Sequence, residues 1–354
     1  MMQQRICREA VNNGTTARFF RFFHEVGTSD GMNLIMSHKV PADRKPLAPV
    51  MLVHGLGQNR HTWTLSGRSL ENYLVSRGFE TFNVELRGHG LSRANGSGYP
   101  DRFETYLEYD MPALFDAIRA ITGGRKLFYM GHSLGGTISY CIGHRFRDDL
   151  AGILSIAGPF NMARGNFLLR SIARAGVSLG RVNPLRRIQP RAFYIDYIGF
   201  VARYGLFLLD NSMNKLPVHV WYPGSMEPDI LRERVEKGFD RTSFNVVKYM
   251  FQWGARGRFL SSDESVDFEE AIAGLTTPIL FVNGDRDYAV PCSAVSAAYR
   301  KAGSADKTFK VFRAEKPGCH WGHIDLIFGR QAPDIVWPYM LDWMLERLPE
   351  QGHA

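Results

Sequence analysis

The chain has 354 residues, of which 45% are hydrophobic and 22% are charged, and no Gly/Ser-rich, Pro-rich or repetitive segment divides it. This composition is typical of an ordinary globular protein, so disordered, fibrous and repeat classes are excluded and we expect one cooperative body. The net charge of +8 comes without a Lys/Arg tract interleaved with stacking aromatic residues, so we expect no nucleic-acid partner.

The N-terminal segment lacks the pattern of a signal peptide, because Arg5, Arg8 and Glu9 interrupt the apolar run that such a leader needs. The best candidate for a membrane span, residues 198–209, is short and contains Arg203. Four cysteines are widely spaced without a CxxC pair, which favours neither a disulfide framework nor a zinc ribbon: Cys7, Cys141, Cys292 and Cys319. We therefore expect a cytoplasmic protein.

The predicted elements begin with an antiparallel edge hairpin over residues 18–40, broken by a turn at 28–31. Short apolar runs then alternate with loops and helical patterns, and they return late in the chain: residues 49–53, 80–84, 126–130, 153–156, 278–282 and 308–312. This alternation predicts an α/β fold with a mostly parallel sheet and helices on both faces.

The middle of the chain has no such strand rhythm and is predicted to be mainly helical. We therefore divide the chain into a core at 1–158 and 276–354 and an inserted helical cap at 159–275. In the cap, Leu168, Ile172, Ala175 and Leu179 recur at helical spacing.

Residues 197–209 of the cap are apolar almost all round, which indicates either a buried helix or the inner wall of a cap over an acyl chain. Between Arg164 and Arg203 the cap has eight arginines and one acid, Asp196. This excess has two interpretations: a solvated basic face, or peripheral contact with an anionic membrane or an acidic head group.

A G-x-S-x-G sequence follows the apolar run at 126–130 and precedes a helical pattern, with Ser133 at its centre. A tight strand-to-helix turn holds its central residue in strained geometry, and glycine is needed on either side to avoid a clash. Gly131 and Gly135 occupy those places, with His132 and Leu134 between them and the serine. The pattern predicts Ser133 as a nucleophile.

A serine nucleophile needs a base and donors for the oxyanion. The run at 49–53 continues into His54-Gly55-Leu56-Gly57, a loop that can present a backbone N–H group. We expect the amides of Leu56 and Leu134 to form the oxyanion hole. His54 precedes the nucleophile in the chain, so we interpret it as a loop-organising residue and not as the base.

The last strands supply the candidates for the acid and the base. Asp285 and Asp287 follow the run at 278–282, and we favour Asp287 as the acid, with Asp285 stabilising the turn. His320 and His323 follow the run at 308–312. We favour His323, which opens a Gly-His-x-Asp turn, and expect His320 to orient the loop or line the pocket. His320, His323 and Asp325 lack the spacing of a ligand set, so we expect no metal.

The chain resembles the α/β-hydrolase superfamily over nearly its whole length, and several segments are similar to the acid-lipase branch that includes the gastric and lysosomal lipases. The similar segments are residues 54–57, 76–93, 109–118, 131–136 and 322–329. The resemblance implies Ser133, Asp287 and His323 as a catalytic triad and a helical lid over an acyl pocket. Leu134 stands where the secreted animal lipases have glutamine, and the loop at 85–90 resembles general bacterial-type esterases.

These residues predict a serine hydrolase that cleaves a small ester or lipid with an apolar acyl chain through an acyl-enzyme, without a cofactor. An acyltransferase or a thioesterase would use the same intermediate. A different class, a non-catalytic ligand-binding protein with a hydrolase fold, usually lacks a triad member, whereas here each member has a candidate.

Overall fold

A computed structural model describes a large sheet with helices around it. The described residues are 5–160, 170–171, 174–175, 191–196, 204, 206, 210–211, 220–315 and 320–349. No helix within these ranges is long and apolar enough to cross a membrane.

The sheet is mixed, with an antiparallel end and a parallel centre. The described strands are β1 (Ile6–Asn12), β2 (Thr15–Gly27), β3 (Asn33–Pro41), β4 (Pro49–Val53), β5 (Glu80–Glu85), β6 (Leu127–His132), β7 (Leu150–Ile156), β8 (Ala192–Tyr194), β9 (Arg241–Ser243), β10 (Ile279–Gly284) and β11 (Lys307–Phe312). Nine of them form one sheet in the order β1-β2-β3-β5-β4-β6-β7-β10-β11, and β8 pairs with β9 in a separate ribbon. The six strands β5-β4-β6-β7-β10-β11 pair with one another in parallel. The carboxyl ends of these strands share one edge, where ligands bind in open α/β sheets.

Helices follow most of the parallel strands. The described helices are α1 (Leu70–Ser76), α2 (Gly90–Ala94), α3 (Met111–Thr122), α4 (Leu134–Ile142), α5 (Pro228–Gly238), α6 (Phe244–Arg256), α7 (Phe268–Ala273), α8 (Cys292–Lys301), α9 (Asp325–Phe328) and α10 (Ala332–Leu345). Helix α1 begins where the Ser69 hydroxyl accepts a hydrogen bond from the Asn72 N–H group at 3.0 Å. Helix α3 ends at Gly123, whose φ of 67° suits a glycine.

Two apolar cores lie on the two faces of the sheet. All residues of β4 are buried: Met51 and Val53 join the core that includes α3 and α4, whereas Val50 and Leu52 join the core that includes α1 and α10. Successive side chains of a strand point to opposite faces, so a strand buried on both faces is a continuous apolar run. This is why these strands were visible in the sequence.

The predicted α/β fold is confirmed, and each of the six apolar runs is a strand with bounds within three residues of those expected. The placement of the hairpin at the sheet edge is wrong, because β1 occupies the edge and β3 pairs with β5 inside the sheet. The sequence analysis missed β1, although Asn13-Gly14 marks the turn that joins it to β2; both residues have positive φ, 44° and 79°. Asn-Gly favours the two-residue turn that joins two antiparallel strands.

The segment predicted as a cap contains α5, α6, α7 and the β8–β9 ribbon among its described residues. The sequence analysis did not predict this short ribbon. The helix expected around Leu168–Leu179 and the apolar stretch at 197–209 lie mostly outside the described residues. The division into 1–158, 159–275 and 276–354 stays a prediction.

Candidate active site

Ser133 lies on the turn between β6 and α4, at the carboxyl edge of the sheet. Its φ of 52° is in the left-handed region, which is strained for a residue with a side chain. Cβ atoms added at Gly131 and Gly135 would lie 2.4 Å from the backbone of Gly135 and 2.3 Å from the carbonyl oxygen of Val53, respectively. The turn therefore requires both glycines, and it presents the half-buried Ser133 side chain beyond the strand end.

Asp287 and His323 form a buried pair beside this turn. The His323 Nδ1 atom lies 2.8 Å from the Asp287 Oδ2 atom, and the Val290 N–H group donates to Asp287 Oδ1 at 2.7 Å. The His323 ring packs on the His132 ring with centroids 4.6 Å apart. His323 is thus held by a carboxylate on one side and against the residue that precedes Ser133 on the other.

The competing candidates for acid and base pair with each other. The His320 Nδ1 atom lies 2.6 Å from Asp285 Oδ2, and the Trp321 N–H group donates to Asp285 Oδ1 at 3.0 Å. Asp285 therefore binds the histidine loop, in addition to the hydrogen bond of its own N–H group to the Phe312 carbonyl. His320 is partly exposed, whereas His323 is buried.

The loop after β4 brings Gly55, the neighbour of Leu56, close to the nucleophile turn. A Cβ atom on Gly55 would lie 3.0 Å from the Ser133 Cβ atom, so the two backbones approach closely. The Gln58 side-chain oxygen accepts from the Gly55 N–H group at 3.3 Å and lies 3.2 Å from His132 Nδ1. Gln58 links the Leu56 loop to the Ser133 turn. Sequence analysis missed this contact because Gln58 belongs to no motif and is identified only by its distance from His132 in the structure.

His54 is fully buried and holds the loop by both ring nitrogens. Its Nδ1 lies 2.9 Å from the Gly55 carbonyl oxygen, and its Nε2 accepts from the Leu86 N–H group at 3.2 Å. Burial lowers the pKa of His54 to about 3, so the ring is neutral at physiological pH. A ring engaged in this way organises the loop and is not available as the base.

Two further groups near the histidine loop have pKa values shifted by burial. Burial is also the main cause that holds the pKa of His132 well below its usual range, with the neighbouring His323 contributing. Burial raises the pKa of Asp325 to about 7. Asp325 Oδ2 accepts from the N–H groups of Gly322 at 2.6 Å and Tyr222 at 2.8 Å. Asp325 thereby anchors the loop next to His323.

Asp240, at the end of the segment between α5 and β9, joins the predicted cap to core loops at the same edge. It accepts from the Gly90 N–H group at 2.7 Å and from Asn59 Nδ2 at 3.4 Å, and it forms an ion pair with Arg93. Sequence analysis missed this residue because its partners are distant in the chain.

Comparisons with known proteins identify the fold. The family described as serine aminopeptidase, S33, matches residues 44–197. A soluble variant of monoglyceride lipase from Saccharomyces cerevisiae superposes with a TM-score of 0.58 at 18% identity, covering 93% of this chain and 97% of that one. The chain has an α/β-hydrolase fold.

Sequence relatives of this chain include several lipases. The gastric triacylglycerol lipase of Rattus norvegicus is 21% identical over 91% of this chain and 88% of its own length. Triacylglycerol lipase 2 of Arabidopsis thaliana is 31% identical, but the match covers 33% of this chain and 32% of that protein. The alignment with the Arabidopsis protein thus spans about a third of its length.

Proposed function

We propose that this α/β-hydrolase cleaves carboxylic esters with an apolar acyl chain, using Ser133 as nucleophile, His323 as base and Asp287 as the acid that orients it. The observation that carries the proposal is the buried His323–Asp287 pair, 2.8 Å apart, packed against the strained turn of Ser133. A nucleophile on a strained turn beside an imidazole oriented by a carboxylate is the arrangement that activates serine.

The reaction proceeds by two acyl transfers. His323 Nδ1 faces Asp287, so its Nε2 accepts the Ser133 proton while the alkoxide attacks the ester carbonyl. The amides of Leu56 and Leu134 stabilise the oxyanion. Collapse expels the alcohol, which takes the proton from His323, and leaves an acyl-enzyme. Water, deprotonated by the same ring, then attacks the acyl-enzyme; the acid leaves and His323 returns the proton to the Ser133 oxygen.

The substrate class rests on the relatives and on the predicted cap. Named relatives include triacylglycerol lipases and a monoglyceride lipase, so we propose a lipid ester as substrate. The arginine excess between Arg164 and Arg203 supports peripheral contact with an anionic membrane from the cytoplasm. Sedimentation with vesicles that shows no dependence on anionic lipid would contradict this membrane contact.

The test of the activity is Ser133→Ala, with Ser29→Ala, an exposed serine, as the control. Hydrolysis of p-nitrophenyl esters of increasing chain length and labelling by a fluorophosphonate are measured for each protein. We expect Ser133→Ala to lose on the order of 10⁶ in turnover and all labelling, and the control to match the parent chain. A Ser133→Ala protein with unchanged ester hydrolysis would overturn the proposal, and added alcohol or thioester substrates would reveal acyl transfer or thioesterase activity.

A further inference from the structure

The short segment after β10 and the loop after β11 meet through two carboxylate–imidazole pairs instead of one. Asp287 pairs with His323 at 2.8 Å, and Asp285 pairs with His320 at 2.6 Å. We propose that Asp285 and His320 are positioning residues, which hold the loop in the register that places His323 for proton transfer. This inference rests on the proposed function, since it assigns His323 the role of base.

Contacts at and beside Asp285 join the turn after β10 to the loop after β11. The Trp321 N–H group donates to Asp285 Oδ1 at 3.0 Å, and the Arg286 N–H group donates to the Trp321 carbonyl at 2.9 Å. A Cβ atom on Gly284 would lie 2.3 Å from that same carbonyl oxygen. The loop after β11 therefore lies directly against the end of β10. The Asp285–His320 pair adds a side-chain contact at His320.

The other side of the loop is held by the segment that precedes α5. A Cβ atom on Gly322 would lie 2.7 Å from the Tyr222 nitrogen, and Asp325 binds the N–H groups of both residues. The Tyr222 ring lies 5.0 Å from the His320 ring. The hydrogen bonds of Asp325 hold the loop after His320. Among the described residues, the His320 side chain holds the start of the loop through Asp285 and the Tyr222 ring.

This position has a specific kinetic consequence. A shift of about 1 Å in a reacting group lowers the reaction rate on the order of 100-fold. Such a shift of His323 would slow the chemical step more than it would weaken substrate binding. If His320 instead lined the substrate pocket, its removal would raise KM and leave kcat unchanged. The split between kcat and KM therefore separates a positioning role from a binding role.

The test compares His320→Ala, His320→Asn, Asp285→Ala and the double alanine variant, with Arg313→Ala as an exposed control close to the same loop. We expect each single alanine variant to lower kcat and the fluorophosphonate labelling rate by about 10- to 100-fold with little change in KM. The double variant should be no slower than the slower single one, because both members act through one contact. The asparagine amide can donate where Nδ1 does, so His320→Asn should recover most of the rate even if the alanine variants fold poorly.

Any of these kinetic results would overturn the inference: kcat of His320→Ala within twofold of the control, an increase in KM alone, or additive losses in the double variant. A folded His320→Asn protein as slow as His320→Ala would also contradict it. Failure of the proposed function is a separate outcome, because the parent chain would then show neither ester hydrolysis nor labelling of Ser133.

Discussion

Gly135→Ala tests the tight turn around Ser133 quantitatively. The added Cβ atom would lie 2.3 Å from the carbonyl oxygen of Val53 and 3.0 Å from that of His54, whereas ordinary contacts begin at 3.4 Å. The backbone of β4 or of the first turn of α4 must therefore move by roughly 1 Å. Overpacking of this kind costs about 1–3 kcal/mol of unfolding free energy. The same shift at the nucleophile turn lowers kcat by about 100-fold.

The matched control is Gly98→Ala, because Gly98 is exposed and a Cβ atom there meets no atom within 4 Å. Urea unfolding gives the free energy of each variant, and hydrolysis of a p-nitrophenyl ester gives kcat. We expect Gly98→Ala to match the parent chain in both measurements. Equal unfolding midpoints and equal kcat for Gly135→Ala and Gly98→Ala would refute the claim that the turn excludes a side chain.

Three other changes give measurable outcomes. Asp287→Asn should lower kcat by about 10³- to 10⁴-fold, because the amide no longer stabilises the charged His323 ring. The control is Asp263→Asn, a change at an exposed residue. Equal kcat values for the two variants would contradict the role of Asp287 as the triad acid. His54 has its folded pKa lowered from 6.5 to about 3 by burial, so its contribution to stability is complete above pH 6.5 and is lost as pH falls towards 3. The His54 contribution to the unfolding free energy should fall by up to about 1.4 kcal/mol per pH unit there, so the slope for His54→Gln should be shallower by up to that amount; equal slopes would exclude this cause. Arg234 is fully buried, and its guanidinium has no hydrogen-bond partner within the described part of the chain. Arg234→Met should therefore raise the unfolding free energy by on the order of 1–2 kcal/mol, and a lower urea midpoint would count against that reasoning.

Local sequence determined the strands and the nucleophile turn. Strands buried on both faces are short continuous apolar runs, so β4, β6 and β10 were recognisable without coordinates. The turn around Ser133 was equally visible, because its glycines are required by atoms within a few residues of them and by the adjacent strand. The apolar runs and the clash at Gly131 depend on neighbours in the chain, which a single sequence records directly, whereas the clash at Gly135 is with Val53 of β4.

Tertiary structure alone decided which carboxylate meets which imidazole. Sequence analysis ranked Asp287 above Asp285 and His323 above His320, but it had no means to see that the second-ranked residues pair with each other at 2.6 Å. The partners in each pair are 35 or 36 residues apart, and their meeting depends on the register between the turn after β10 and the loop after β11. That register is set by packing and by backbone hydrogen bonds such as Arg286 N–H to the Trp321 carbonyl, which leave no pattern in the order of residues.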